Sequence, residues 1–299
     1  MRDQVDKIIK RIHDLPTLPL VYKRVSDLLK NPYTSASDVA AVISEDQVIT
    51  TKLLRLVNSA HYGFPEKVET INRAVSLVGM QAVKDLVLAT TVMDLFHDHQ
   101  LENWTTAEFW RHSLGVAVTS SALAKVLGYG AEAEEYFVAG LIHDIGKVVW
   151  MEHFHVELFE VLTMAHEKRM PMIEAEQKVL SFTHARAGRM LAKRWGLPDR
   201  LIETIAWHHE PRLADKFPRY AATVHIADAI ANGMRLGSGG NGRVPEIQDE
   251  AVELTGLRPD HVADVIDVID VEYRDALTML AFWDEDEKSS VSEDLSTPA

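Results

Sequence analysis

Apolar residues recur along this chain at three- and four-residue spacing, as in Ile8, Ile9, Ile12 and Leu15 and again in Ile49, Leu53, Leu56 and Val57. Strict alternation is nearly absent, so the period is that of helices with one buried face and predicts an all-α protein. Helices are expected near residues 3–13, 19–30, 37–44, 48–58, 70–78 and 80–97, an N-terminal helical subdomain over residues 1–100. Ser37 ahead of Asp38 and Thr70 ahead of Ile71 have the side chains of N-caps, and Gly79 and Gly128 stand where helices stop. A second group over residues 101–236 carries helices from Trp110 to Leu127, Glu132 to His143, Val156 to Lys168, Ile173 to Leu180, His184 to Trp195 and Pro198 to His208. The run Gly237-Ser238-Gly239-Gly240-Asn241-Gly242 then reads as a surface loop.

Residues 237–283 form a C-terminal extension, in which Pro259 suits a first helical turn and Val262, Val265, Ile266, Ile269, Tyr273, Leu277 and Leu280 continue one stripe. Packing back on the body is the expected use of that stripe, with a homodimer interface as the alternative. From Asp284-Glu285-Asp286-Glu287 the chain reads as an acidic, solvated and disordered tail over residues 284–299. No repeat of fixed period is present.

Composition narrows the chemistry. With 46% apolar residues the 299-residue chain can bury a core without staples, and with no cysteine any metal must be held by nitrogen and oxygen. That donor set suits Fe, Mn, Ni, Zn or Mg. A formal charge of −14 opposes a nucleic-acid partner, because such affinity rests on cationic groups that displace counterions. The charged start Met1-Arg2-Asp3-Gln4 and the lack of an apolar run of spanning length point to a cytoplasmic protein with no membrane partner.

Against this background one set of side chains stands out: Glu108 and His112, His143 with Asp144, His184, His208 with His209, and Asp228. Glu108 and His112 are four apart, hence on one helix face, a spacing that serves an ion or an ordinary hydrogen-bonded pair. His143 and Asp144 interrupt the apolar run Ala139-Gly140-Leu141-Ile142, and Lys147 follows, although burying such groups without partners is costly. Adjacent helical residues point about 100° apart, so both reach one ion only from a helix end, and Gly146 supplies the irregularity. A carboxylate such as Asp144 can offer one oxygen to each of two cations. Gly188 after His184 would allow a neighbouring backbone to approach, Pro211 ends the helix that presents His208 and His209, and Asp228 is a lone carboxylate in an apolar helix. Each residue taken singly has a bland reading as a surface or satisfied core group. His13, His61, His97, His99, His153, His155, His166, His225 and His261 lack this ordered context and take that bland reading.

The order His112, His143-Asp144, His184, His208-His209, Asp228 resembles the HD-domain metal-dependent phosphohydrolases, and His143-Asp144-Ile145-Gly146-Lys147 is similar to their signature. Glu108 and the paired histidines look like the HD-GYP branch, but Pro211-Arg212-Leu213 follows Glu210 where that branch has Gly-Tyr-Pro, so its substrate is not carried over. The N-terminal half resembles the HDOD family, a bacterial signalling module related to HD domains. Leu15-Pro16-Thr17-Leu18-Pro19 looks like its opening, Leu53 to Gly63 like its central motif and Ile71 to Gly79 like the helix after it, with Glu45-Asp46-Gln47-Val48 departing from the usual proline after the Asp. The likeness covers roughly residues 13–210.

This resemblance implies an HD-domain-like helical bundle with an added N-terminal helical group. It implies one metal at His112, His143, Asp144 and Asp228, a second at Asp144, His184, His208 and His209, and Glu108 at a third site or orienting His112. It further implies that a catalytic centre here would use Asp144 to bridge two divalent ions and Lys147 to neutralise phosphate charge. Two functions follow: a regulatory signal-transduction protein of the HDOD type that keeps an HD-type metal site, or a metal-dependent phosphohydrolase acting on a nucleotide, cyclic dinucleotide or phosphate ester. Partners are then a signalling protein or a small phosphorylated ligand.

Overall fold

The computed structural model describes the backbone at residues 2–96, 100–101 and 104–294, with side chains described over 5–96 and 104–277. Every regular element among the described residues is helical apart from a hairpin of two residue pairs, β1 (Gln100–Leu101) against β2 (Trp104–Thr105). That hairpin is too short to leave an alternating pattern, which is why periodicity predicted no strand. His97 and His99 lie outside the described residues.

Six helices form the N-terminal group: α1 (Arg2–Asp14), α2 (Leu20–Leu28), α3 (Ala36–Ser44), α4 (Gln47–Val57), α5 (Ile71–Val78) and α6 (Met80–Asp94). They lie within a few residues of the expected spans. Thr70 caps α5 as expected, its side chain accepting from the Arg73 N–H. The cap of α3 is Ser35 and not Ser37: Ser35 accepts from Asp38 N while the Asp38 carboxylate accepts from Ser35 N. This reciprocal box needs an acceptor three residues after the cap, which Ser35 has in Asp38 and Ser37 lacks in Ala40.

The second group begins with α7 (Thr106–Val126), buried on every side over most of its length, as a helix at the centre of a bundle must be. Around it stand α8 (Ala133–Ile142), α14 (Pro218–Met234) and α16 (Pro259–Asp294). The layer that completes the site consists of α9 (Lys147–His153), α10 (His155–Glu167), α11 (Met172–Val179), α12 (His184–Arg194) and α13 (Asp199–Trp207), and α15 (Asp249–Thr255) packs on α14. Val265, Ile269, Tyr273 and Ala276 of α16 are buried and the helix lies on α7, so the C-terminal stripe does pack back on the body. The helix continues to Asp294, through the first part of the segment whose composition suggested a tail. Extending an established helix needs only propagation and no new nucleus, so weakly helical residues can follow it. Among the described residues no single helix is long and apolar enough to cross a membrane.

Close helix approach in the second group depends on two glycines. A Cβ on Gly146 would stand 1.9 Å from the His184 carbonyl oxygen, and one on Gly188 would stand 2.6 Å from the Ile205 side chain and 3.1 Å from Gly146 N. The turn between α8 and α9 therefore touches the start of α12 backbone to backbone. This contact brings His184 against Asp144.

Candidate metal centre

Five elements deliver the expected side chains to one place. His112 comes from α7, His143 and Asp144 from the turn after α8, His184 from the first residue of α12, His208 and His209 from the end of α13, and Asp228 from α14. They form two groups whose ligand atoms lie within 4.8 Å of one another: Asp144, His184, His208 and His209 in one, and His112, His143 and Asp228 in the other. His112, His143 and His208 are completely buried, and His184, Asp144 and Asp228 nearly so.

Asp144 stands between the groups. Its Oδ1 lies 3.0 Å from His184 Nε2 and 3.5 Å from His208 Nε2, while its Oδ2 lies 3.2 Å from His143 Nε2. His112 Nε2 is 3.0 Å from Asp228 Oδ1, and His184 Nε2 is 2.9 Å from His209 Nε2. Asn232 supports Asp228 by donating to its Oδ1 at 2.7 Å.

The tautomers follow from the outer hydrogen bonds. His143 Nδ1 donates to the Gly140 carbonyl at 2.7 Å, His184 Nδ1 to Glu176 Oε2 at 2.7 Å, and His208 Nδ1 to the Ile205 carbonyl at 3.1 Å. With Nδ1 protonated, each Nε2 carries a lone pair aimed into the cluster, the arrangement that metal-binding imidazoles adopt. His143 Nε2, His208 Nε2 and His112 Nδ1 are buried with no hydrogen-bond partner, and His112 Nε2 and Asp144 Oδ1 face only other members of the cluster. Acceptors that face one another across a buried space with no donor between them fit divalent cations, and the donor set of imidazole and carboxylate fits as well.

Burial would lower the pKa of His184, but the Glu176 and Asp144 carboxylates outweigh it and hold the ring up at about 9, so a cation bound there would displace its Nε2 proton. Burial pushes His208 down to about 4 and His209 well below the usual imidazole range, leaving neutral, ligating rings. Burial works against ionised Asp144 and Asp228, yet the former is held well below the usual carboxylate range by His143, Lys147 and His184, and the latter is held at about 2 by His112.

Two expected residues sit differently from the rest. Glu108 is outside both groups, its side chain 38% exposed and bonded to Arg111 Nη1 at 2.5 Å. In the first turn of α7 Thr106 and Phe109 are buried but Ala107 and Glu108 only half-buried, so sharing a helix face with His112 does not carry Glu108 inside. Lys147 is buried, and its Nζ donates to Asp144 Oδ2 at 2.5 Å and to the Gly239 carbonyl at 2.7 Å. That second bond ties down the glycine run, which covers His112: a Cβ on Gly239 would stand 2.8 Å from His112 Nε2. The run is half-buried to buried at Ser238, Gly239 and Gly240, and so is less exposed than a surface loop.

Glu176 escaped the reading of the sequence. Completely buried on α11, it accepts from Trp150 Nε1 at 2.8 Å and from both His184 N and His184 Nδ1. A carboxylate between Ala175 and the apolar Val179-Leu180 was the available signal. Of the histidines set aside, His225 is buried beside the site, its Nδ1 donating to the His208 carbonyl and its Nε2 accepting from Gln248 N, a satisfied core residue.

A helical bundle that converges buried histidines and aspartates on one centre is an HD-type fold. The family model for the HDOD domain matches residues 15–211, and the chain belongs to that family. It is similar to an uncharacterized protein of Treponema pallidum, 29% identical over 222 residues, which are 74% of this chain and 43% of that protein. A shorter stretch of 121 residues, 40% of this chain and 16% of the relative, is 31% identical to ribonuclease Y of Thermus thermophilus. The chain thus spans less than half the length of these relatives. Among solved structures, an HDOD domain protein with unknown function from Geobacter sulfurreducens superposes with a TM-score of 0.73 at 26% identity, covering 90% of this chain and 97% of that one.

Proposed function

We propose that this chain is a regulatory signal-transduction module of the HDOD type that holds two divalent metal ions in a largely buried HD-type centre. The observation that carries the reading is the buried set of unpartnered imidazole nitrogens, roofed over His112 by a glycine run that Lys147 fastens, with His209 alone half-buried at its edge. Closed sites are the mark of structural metals, whereas catalytic ones keep an open position. Divalent ions bound here would supply folding free energy, and at an open site would polarise a phosphate oxygen and acidify water.

The protein's own residues do the rest. Asp144 presents one oxygen to each group, Lys147 neutralises its Oδ2 and anchors Gly239, and Glu176 fixes the tautomer of His184. Output would pass to a protein partner in the cytoplasm.

A second reading, a metal-dependent phosphohydrolase, is favoured by the near-complete ligand set and by the likeness of part of the chain to a ribonuclease. Elemental analysis of purified protein, followed by assays on nucleotides and cyclic dinucleotides with Mn or Fe added, decides between them. The expected result is two ions per chain, both lost in Asp144→Ala, and no turnover. A full metal complement in Asp144→Ala removes the bridging assignment, and turnover that Asp144→Ala abolishes replaces the regulatory reading with the enzymatic one.

A further inference from the structure

Of the seven side chains in the two ligand groups, His209 alone is half-buried where the others are buried, and it forms part of the lining of a cavity of about 380 Å³ between α12 and α13. We propose that this cavity binds a small phosphorylated ligand carrying a flat aromatic ring, of the size of one mononucleotide. Ile173, Arg186, Arg189, Trp207 and Glu210 join His209 in the lining.

Arg186 and Arg189 are three apart on α12 and so share one side of the helix. The Arg189 guanidinium lies 5.5 Å from the Trp207 ring centroid, and that of Arg186 lies 4.4 Å from the Phe182 ring. Neither is joined to a carboxylate among the described residues. Arg24, Arg111, Arg200 and Arg212, by contrast, each meet a carboxylate. A guanidinium resting on an aromatic face keeps its N–H edge free, and that edge grips phosphate oxygens in pairs. Half-buried Trp207 offers an indole surface on which a planar ring can stack.

Size limits the ligand. The cavity is at the small end of ligand sites, which run from about 300 to 1,000 Å³, so it suits one base, sugar and phosphate better than a cyclic dinucleotide. Exposed Glu210 adds a like charge that disfavours a polyphosphate. The phosphate held by the two arginines would stand against His209, whose Nε2 is 2.9 Å from His184 Nε2. The inference rests on the metal reading only for what the ligand reports to, because the arginines and the indole bind it regardless.

Isothermal titration of the full chain, as purified and after chelation, with the four 5′-mononucleotides, adenosine and ribose 5-phosphate tests this. At least one mononucleotide should bind, and removing its phosphate or its base should weaken binding about tenfold or more. Arg186→Gln with Arg189→Gln should cost about a hundredfold, whereas Trp207→Ala should cost the mononucleotide about tenfold and leave ribose 5-phosphate unchanged. Melting curves confirm that each variant is folded, with Trp207→Leu replacing Trp207→Ala if needed. Failure of all four mononucleotides to bind, or undiminished binding to the double arginine variant, overturns the proposal. Metal content measured on the same samples separates the two readings: metal without mononucleotide binding leaves the centre and removes the cavity, and binding by protein that holds no metal as purified and takes none up leaves the cavity and removes the centre.

Discussion

Glu176 shows how much of the centre is decided by a residue that cannot reach an ion. Its carboxylate holds the Nδ1–H and the backbone N–H of His184 at once, so the ring has one orientation and one tautomer. Glu176→Gln keeps the shape but removes the charge that favours the Nδ1–H. Metal affinity, measured by competition with a chelator, should fall about 10- to 100-fold, with the fold retained.

His61 belongs to the same scale but to stability. Burial works to lower its pKa, and hydrogen bonds to Glu134 and Glu272 override that and raise it, while Glu272, penalised by burial, is drawn down by His61. A raised histidine contributes stability fully below its unfolded value of 6.5, lost as pH rises through the folded pKa. A lowered glutamate contributes above its unfolded value of 4.5, lost as pH falls through the folded pKa. The pair therefore stabilises most between these two values. Urea unfolding across the neutral range should show stability declining above 6.5 in the native protein, and His61→Gln should flatten that decline.

Elements were legible to the extent that their determinants are local. Helix positions came through from the three-and-four spacing, and Thr70 from its place ahead of an apolar run. The cap of α3 was legible too, since Ser35 and Asp38 spell a capping box that the nearer Ser37 obscured. Gly188 was rightly tied to a close approach, but which backbone approaches was not readable, because the partner, Gly146, is on another helix turn. Gly146→Ala would drive a Cβ into the His184 carbonyl at 1.9 Å. A loss of about 3 kcal/mol is expected, with weakened metal binding, checked by calorimetric melting and elemental analysis. Wild-type stability in that variant would mean the turn can shift without moving His184.

At the scale of the whole molecule, the N-terminal helices are clamped to the helices that carry the site. Arg194 Nη1 donates to the carbonyls of Ile12 and Leu15, Trp195 Nε1 to that of Pro16, and Arg200 joins Asp85 of α6 to Glu135 of α8, each at 2.8 Å. Asp85 is almost wholly buried, so Arg200→Ala would leave its charge facing only Lys84 at 3.8 Å and the Gln81 amide, at a cost of about 3 kcal/mol. A matching fall in stability by urea unfolding is expected, and Asp85→Asn on the same background should recover part of it.

By itself the sequence determined the helical class, the family motifs and the chemistry and order of the candidate ligands, because periodicity, capping and donor type are properties of residues and their near neighbours. Only the tertiary structure decided that Asp144 stands between two groups, that Lys147 faces inward to Gly239, that Glu108 stays outside, and that Glu176 belongs. Each of these depends on how far one helix stands from another, and that distance is set by packing between segments remote in the chain, which no local pattern records.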